Sequence, residues 1–134
     1  MSMKNLQWLS VLALAVVAVI AGCAPAQNAL HLAPETSADS LVFVLTGPEG
    51  SGPAQAWVYG LSVVECGTER AMWTIATTGG SLPSHVTYGR PVPGFVVREG
   101  PEPLVPGCYD VFISGGKPLR FLVDTSRVVR LPER

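Results

Sequence analysis

Few side chains in this sequence are of the types that enzymes and metal sites use. The chain has two histidines, His31 and His85, and three aspartates, too few for a zinc site or a carboxylate-rich calcium site. Ser84 and His85 are adjacent, and neighbouring residues of a strand point to opposite faces, so we do not expect them to act as nucleophile and base. The carboxylates of Glu65 and Glu69 are most simply interpreted as parts of a solvated turn. The sequence therefore predicts no catalytic residue, no metal site and no cofactor.

The N-terminus has the order of segments found in bacterial export signals. Residues 1–7 carry one cation, Lys4, and no acid, and residues 8–21 are apolar except for Ser10. A helix over that apolar run would be about 21 Å long, short of the roughly 30 Å hydrocarbon core of a bilayer. This favours a cleaved signal peptide. A permanent span is the alternative, since residues 24–26 could lengthen the segment.

The stretch Ile20-Ala21-Gly22-Cys23 resembles the lipobox of bacterial lipoproteins, an aliphatic residue and two small ones before a cysteine. The resemblance implies that residues 1–22 are a signal peptide and that the Cys23 sulfur receives a diacylglycerol. Two or three acyl chains anchor a protein stably to a membrane, whereas one is marginal. Ala24, which is not aspartate, resembles the class sorted to the outer membrane of Gram-negative bacteria, facing the periplasm or the surface.

Cys66 and Cys108 are the two cysteines that remain if Cys23 is lipidated. An exported protein meets an oxidising compartment, where an even pair of cysteines usually forms a disulfide. Redox-active thiols usually lie in a C-x-x-C motif near a helix N-terminus, but these two lie far apart in strand-like segments. We therefore predict a structural disulfide.

Composition predicts one small β domain behind a leader and a tether. A chain of 134 residues with 9 Lys+Arg, 10 Asp+Glu and a net charge of −1 lacks the clustered basic surface of a nucleic-acid binder. Its 12 Pro and 14 Gly are too many for a helical domain. Residues 23–40 have no periodic apolar pattern and predict a flexible, lipid-anchored tether in which His31 is solvated. Residues 41–134 are expected to form the domain.

From residue 41 onward, short runs of β-forming residues alternate with Gly and Pro clusters. This pattern predicts an all-β fold, a single small antiparallel β-sandwich of seven or eight short strands with no long helix. The predicted strands are 41–45, 56–64, 70–77, 85–89, 94–98, 109–114, 119–124 and 127–131, the last at a sheet edge. The aromatic residues expected in the core are Phe43, Trp57, Trp73, Tyr109 and Phe121.

The segment Leu104-Val105-Pro106-Gly107-Cys108-Tyr109 resembles the lead-in to a late strand of fibronectin type III-like, immunoglobulin-like and transthyretin-like sandwiches. The resemblance implies that Pro-Gly turns the chain and that the Tyr109 hydroxyl bonds to backbone upstream. Cys108 departs from the usual residue before this tyrosine. Because the pattern recurs in many unrelated extracellular modules, it implies an architecture and no particular function.

The remaining surface features point to binding. Residues 88–95 combine Tyr88, Arg90 and Phe95 with Pro and Gly, and loops of sandwiches often carry binding residues. A proline-stiffened connection is the plainer interpretation. Phe112 is out of phase with its neighbours and is expected to be exposed or in a partner contact. We expect a lipid-anchored cell-envelope protein, a non-enzymatic binding or scaffolding module with an envelope protein partner. The alternative is a small accessory subunit of a larger envelope or secretion complex.

Overall fold

The computed structural model describes residues 27–34, 36–50, 52–54 and 57–133, which form two antiparallel β-sheets. The strands are β1 (Ala29–Leu32), β2 (Val42–Thr46), β3 (Gly60–Glu65), β4 (Ala71–Ala76), β5 (His85–Thr87), β6 (Val96–Glu99), β7 (Gly107–Ile113), β8 (Leu119–Val123) and β9 (Val129–Arg130). Within the described residues, the helical content is one 3-10 turn, Pro48–Gly50. The predicted all-β sandwich is confirmed, with one strand more than expected. The predicted signal peptide and Cys23 lie outside the described residues.

The strand order shows that the chain crosses repeatedly between the two sheets. The small sheet has the order β1-β2-β5, and the large sheet has the order β6-β4-β3-β7-β8-β9. The chain passes between the sheets after β2, after β4 and again after β5. Strands β6 and β9 extend the two edges of the large sheet, so the predicted edge position of β9 is confirmed. None of the described residues belongs to a helix long and apolar enough to cross a bilayer.

Aromatic rings fill the core between the two sheets. Phe43, Trp73, Tyr109 and Phe121 are each at most 1% exposed, as predicted. The Phe121 ring of the large sheet lies 6.1 Å from the Phe43 ring of the small sheet and 5.4 Å from the Tyr109 ring. Full burial of a side chain of this size stabilises a fold by about 1.5–3 kcal/mol. These rings therefore bind the two sheets together.

The prediction that Trp57 is a core residue is wrong. Strand β3 begins at Gly60 instead of residue 56, and the regular alternation does not extend upstream of it. Val58 is fully buried, whereas Trp57 and Tyr59 are 61% and 50% exposed. Because Val58 and Leu61 both point inward across a three-residue interval, the period of two changes phase here. Residue 56 itself lies outside the described residues.

The predicted tether, residues 23–40, is corrected over most of its described part. Strand β1 pairs with β2 from Ala29 opposite Thr46 to Leu32 opposite Phe43. Leu30 is 7% exposed and joins the core. The Nε2 atom of His31 lies 3.0 Å from the Thr46 hydroxyl, so this histidine is a half-buried partner of the neighbouring strand. The domain thus begins well before residue 41.

The turn before β7 is held by a tyrosine corner, as its resemblance to other sandwiches implies. The Tyr109 hydroxyl donates a 2.6 Å hydrogen bond to the backbone oxygen of Val105, four residues upstream. Desolvation of the buried phenol raises the pKa of Tyr109. The hydroxyl therefore remains a donor at neutral pH, and it fixes the direction in which the chain enters β7.

Candidate functional site

The predicted disulfide between Cys66 and Cys108 is confirmed, and it fixes one end of the large sheet. Cys66 lies in the turn between β3 and β4, Cys108 lies in β7, and their Cα atoms are 5.3 Å apart. The Cys66 backbone N–H donates a 3.0 Å hydrogen bond to the Cys108 carbonyl. The covalent link therefore continues the β3–β7 ladder by one more pair.

Tyr88 and Phe95, two of the predicted partner contacts, point toward the core. The Tyr88 ring packs edge-on at 5.2 Å from the Trp73 ring, and its hydroxyl donates a 2.6 Å hydrogen bond to the Glu102 carbonyl. Burial raises the pKa of Tyr88 to about 12. Phe95 is half-buried against the core, whereas Arg90 is exposed. Residues 88–95 therefore fit the interpretation as a proline-stiffened connection better than the interpretation as a binding loop.

Phe112, the fourth predicted contact, is exposed and lies on the outer face of the large sheet. It is 45% exposed and pairs across the sheet with Ser62, whose hydroxyl is 2.9 Å from that of Thr74. A shallow depression of about 310 Å³ lies beside it. Tyr88 packs on the inner face, so the structure does not bring Phe112 together with residues 88–95.

A second depression, of about 450 Å³, adjoins Phe112 on the side of the disulfide and contains charged residues. The Arg120 guanidinium donates hydrogen bonds of 2.8 and 3.0 Å to the two carboxylate oxygens of Asp110. These bonds hold the pKa of Asp110 below its ordinary value. The pair is explained by cross-strand pairing of β7 with β8. No group of three or more potential metal ligands occurs among the described residues.

A third concavity, a hollow of about 430 Å³, lies at the opposite end of β3, and we call it the Trp57 hollow. It is lined by Leu45, Pro53, Ala54, Trp57, Ser81, Leu82 and Ser84. Leu45 and Leu82 are buried, whereas Trp57 and the two serines are exposed. The hollow thus combines an apolar floor with an indole wall and hydroxyl groups. Its volume is in the range of about 300–1,000 Å³ that is usual for small-molecule sites.

Backbone hydrogen bonds between distant segments hold this hollow in shape. The Val58 N–H donates to the Ser81 hydroxyl oxygen at 2.9 Å, and the Leu82 N–H donates to the Val58 carbonyl at 2.9 Å. The Leu45 N–H donates to the Ser84 carbonyl at 2.8 Å. Three chain segments, at residues 45, 57–58 and 81–84, are therefore joined around it, and Trp57 is held beside a fully buried neighbour.

The reason for not expecting Ser84 and His85 to act as nucleophile and base, that their side chains point to opposite faces of a strand, is wrong. The Ser84 hydroxyl lies 3.0 Å from Nδ1 of His85. Strand β5 begins at His85, so Ser84 precedes the strand and the alternation of faces does not apply to it. No carboxylate among the described residues hydrogen-bonds to His85. The pair therefore lacks the third group that orients the base in a serine-nucleophile triad.

Sequence reasoning missed the Trp57 hollow because it treated residues 56–64 as one regular strand. A signal was present: Trp57 follows the glycine- and proline-rich segment 47–53 and precedes Gly60. Glycine inside a strand pattern weakens the strand and often marks a bulge or bend, so Gly60 indicated that the regular strand need not extend upstream to Trp57. Comparison of the chain with protein-family models, curated proteins and solved structures gives no match.

Proposed function

We propose that this protein is a lipid-anchored binding module of the bacterial cell envelope. Cys23 carries the lipid and inserts it into the membrane, and the sandwich is displayed outside the cytoplasm, where it binds or scaffolds another envelope component. In a Gram-negative organism the anchor is in the outer membrane. This role is non-enzymatic.

The observation that carries the proposal is the Cys66–Cys108 disulfide. Structural disulfides persist in exported proteins and are rare in the reducing cytoplasm. The bridge accounts for two of the three cysteines in the sequence, and the third is Cys23. That cysteine stands at the end of the apolar leader, where the lipobox resemblance expects a lipidated thiol. The bridge and the leader thus support the same extracytoplasmic location.

Binding is favoured over catalysis by the residues that line the Trp57 hollow. The Trp57 hollow contains an exposed indole, but none of its described lining residues is charged. The Ser84–His85 pair beside it has no carboxylate partner among the described residues. A general acid or base needs a titratable group placed against the substrate. Recognition of a ligand needs only shape, apolar area and a few polar groups.

The lipid anchor is tested by expressing the full chain in a bacterium supplied with an alkyne-tagged fatty acid. We expect labelling of a mature chain that begins at Cys23, and intact mass spectrometry should give the mass of that lipidated product. A Cys23→Ser chain should remain unlabelled, whereas a chain with both Cys66→Ala and Cys108→Ala should still be labelled. A product with Met1 intact and an unmodified Cys23 thiol would refute the proposal.

One observation favours the alternative, a small accessory subunit of a larger envelope complex. Phe112 projects from the outer face of the large sheet beside residues with small side chains, Ser62 and Thr74 among them. Exposed aromatic residues on a flat surface are common in protein interfaces. In that alternative, the Phe112 face is covered by another protein, and the lipid anchor is the same.

A further inference from the structure

We infer that the Trp57 hollow binds a neutral pyranose unit of a glycan. The inference deepens the proposed binding role by naming its ligand class, and it rests on that role for the presence of glycans around the domain. The hollow's own chemistry, an indole face next to hydroxyl groups on an apolar floor, carries the argument.

Trp57 offers the type of surface on which a sugar ring stacks. Its side chain is 61% exposed, although the adjacent Val58 is fully buried and holds the backbone in place. An exposed indole on a fixed backbone loses little conformational freedom when a ligand covers it. One face of a pyranose consists largely of C–H groups, and these pack against the negative face of an aromatic ring.

The polar edge of a sugar ring requires hydrogen-bonding groups, and the hollow supplies them. Ser81 accepts a hydrogen bond from the Val58 N–H, and its hydroxyl still has a proton to donate. The Ser84 hydroxyl is oriented by its 3.0 Å contact with His85 Nδ1. Both serines are exposed, so a ligand on the indole can reach them.

The absence of charge among the described lining residues and the presence of hydroxyl groups disfavour other ligand classes. No described residue that lines the hollow is charged, so neither a phosphate nor a carboxylate would be compensated there. A wholly apolar ligand would leave the Ser81 hydroxyl proton without an acceptor, which costs free energy. A ligand with both C–H faces and hydroxyl edges satisfies the floor, the wall and the polar groups together.

The test is co-sedimentation of the purified full chain with three insoluble glycans: peptidoglycan sacculi, chitin and cellulose. Triton X-100 is the detergent, because glycoside detergents would compete for the same hollow. We expect at least one glycan to pellet the protein. Trp57→Ala should bind that glycan up to about tenfold more weakly, which is the loss of affinity expected when a stacked aromatic ring is removed. Trp57→Phe should retain part of the binding.

Tyr59→Ala is the matched control, since Tyr59 is a similarly exposed aromatic that does not line the hollow. It should bind like the unaltered protein. Failure of all three glycans to pellet the protein, or equal pelleting of Trp57→Ala, would overturn the inference. Thermal unfolding of Trp57→Ala should match that of the unaltered chain, because the replaced side chain is exposed. A Cys23→Ser chain should still bind the glycan, so failure of the anchor is distinguished from failure of the sugar site.

Discussion

Replacing both Cys66 and Cys108 by alanine should lower the free energy of unfolding by about 4 kcal/mol, the chain-entropy value for a bridge that closes a loop of this length. The two cysteines are separated by 42 positions. A domain of this size has a total stability of about 5–15 kcal/mol. The disulfide therefore accounts for a large part of the stability of the sandwich.

We attribute this loss of stability to a change in the denatured state. Without the bridge, the native β3–β7 ladder still pairs Glu65 with Tyr109, next to the bridge, and the Cys66 N–H still reaches the Cys108 carbonyl through backbone atoms alone. Alanine can occupy both half-buried positions without a clash. The native state should therefore change little, whereas the denatured chain gains a freely moving loop.

Urea unfolding followed by tryptophan fluorescence measures this effect, because Trp73 is fully buried in the native state. Both proteins should carry Cys23→Ser, so that no third thiol can exchange. The double-alanine protein should have a lower urea midpoint and a larger m-value, since its denatured state is more exposed. Its melting temperature should fall by roughly 15 °C. A loss below about 1 kcal/mol would refute the loop-entropy reasoning.

Two further substitutions test the corner and the turn before it. Tyr109→Phe should lower the free energy of unfolding by about 1 kcal/mol, measured by thermal unfolding, because the Val105 carbonyl loses its 2.6 Å donor. Tyr59→Phe, on an exposed ring, should lower it much less. Equal losses of stability would contradict the tyrosine corner. Gly100→Ala should destabilise the fold by about 2 kcal/mol or more beyond Gly94→Ala. Both glycines have positive φ, but a Cβ at Gly100 alone would overlap a backbone carbonyl of β4. Similar melting temperatures for the two glycine variants would refute that steric argument.

Local patterns were sufficient to predict most of the strands. The eight predicted segments each overlap a strand of the structure, because alternating side chains between Gly and Pro clusters report directly on a half-buried sheet. Strand β1 escaped prediction because Ala29–Leu32 lies in a segment with no periodic apolar pattern, between polar residues and a proline. Its position depends on pairing with β2 and on a pocket for Leu30, and neither is visible in the local sequence.

The candidate site was harder to predict, because it depends on where strands end. Ser84 meets His85 since β5 begins between them, and Trp57 is exposed since β3 begins three residues later. A one-residue shift in the alternation of a strand moves a side chain from the core to the solvent. The segments that complete the Trp57 hollow, at 45, 53–54 and 81–84, are brought together only by the packing of the two sheets.

The amino-acid sequence by itself determined the all-β class, the pairing of Cys66 with Cys108 and the tyrosine corner at Tyr109. The all-β class follows from the alternation of side chains between Gly and Pro clusters, the cysteine pairing from the expectation that Cys23 is lipidated, and the corner from the resemblance of residues 104–109 to other sandwiches. The tertiary structure alone decided that β1 belongs to the domain, that Tyr88 is locked inward and that Trp57 faces solvent. Those outcomes depend on how chain segments distant in sequence compete for a limited interior between two sheets, and local sequence does not encode that competition.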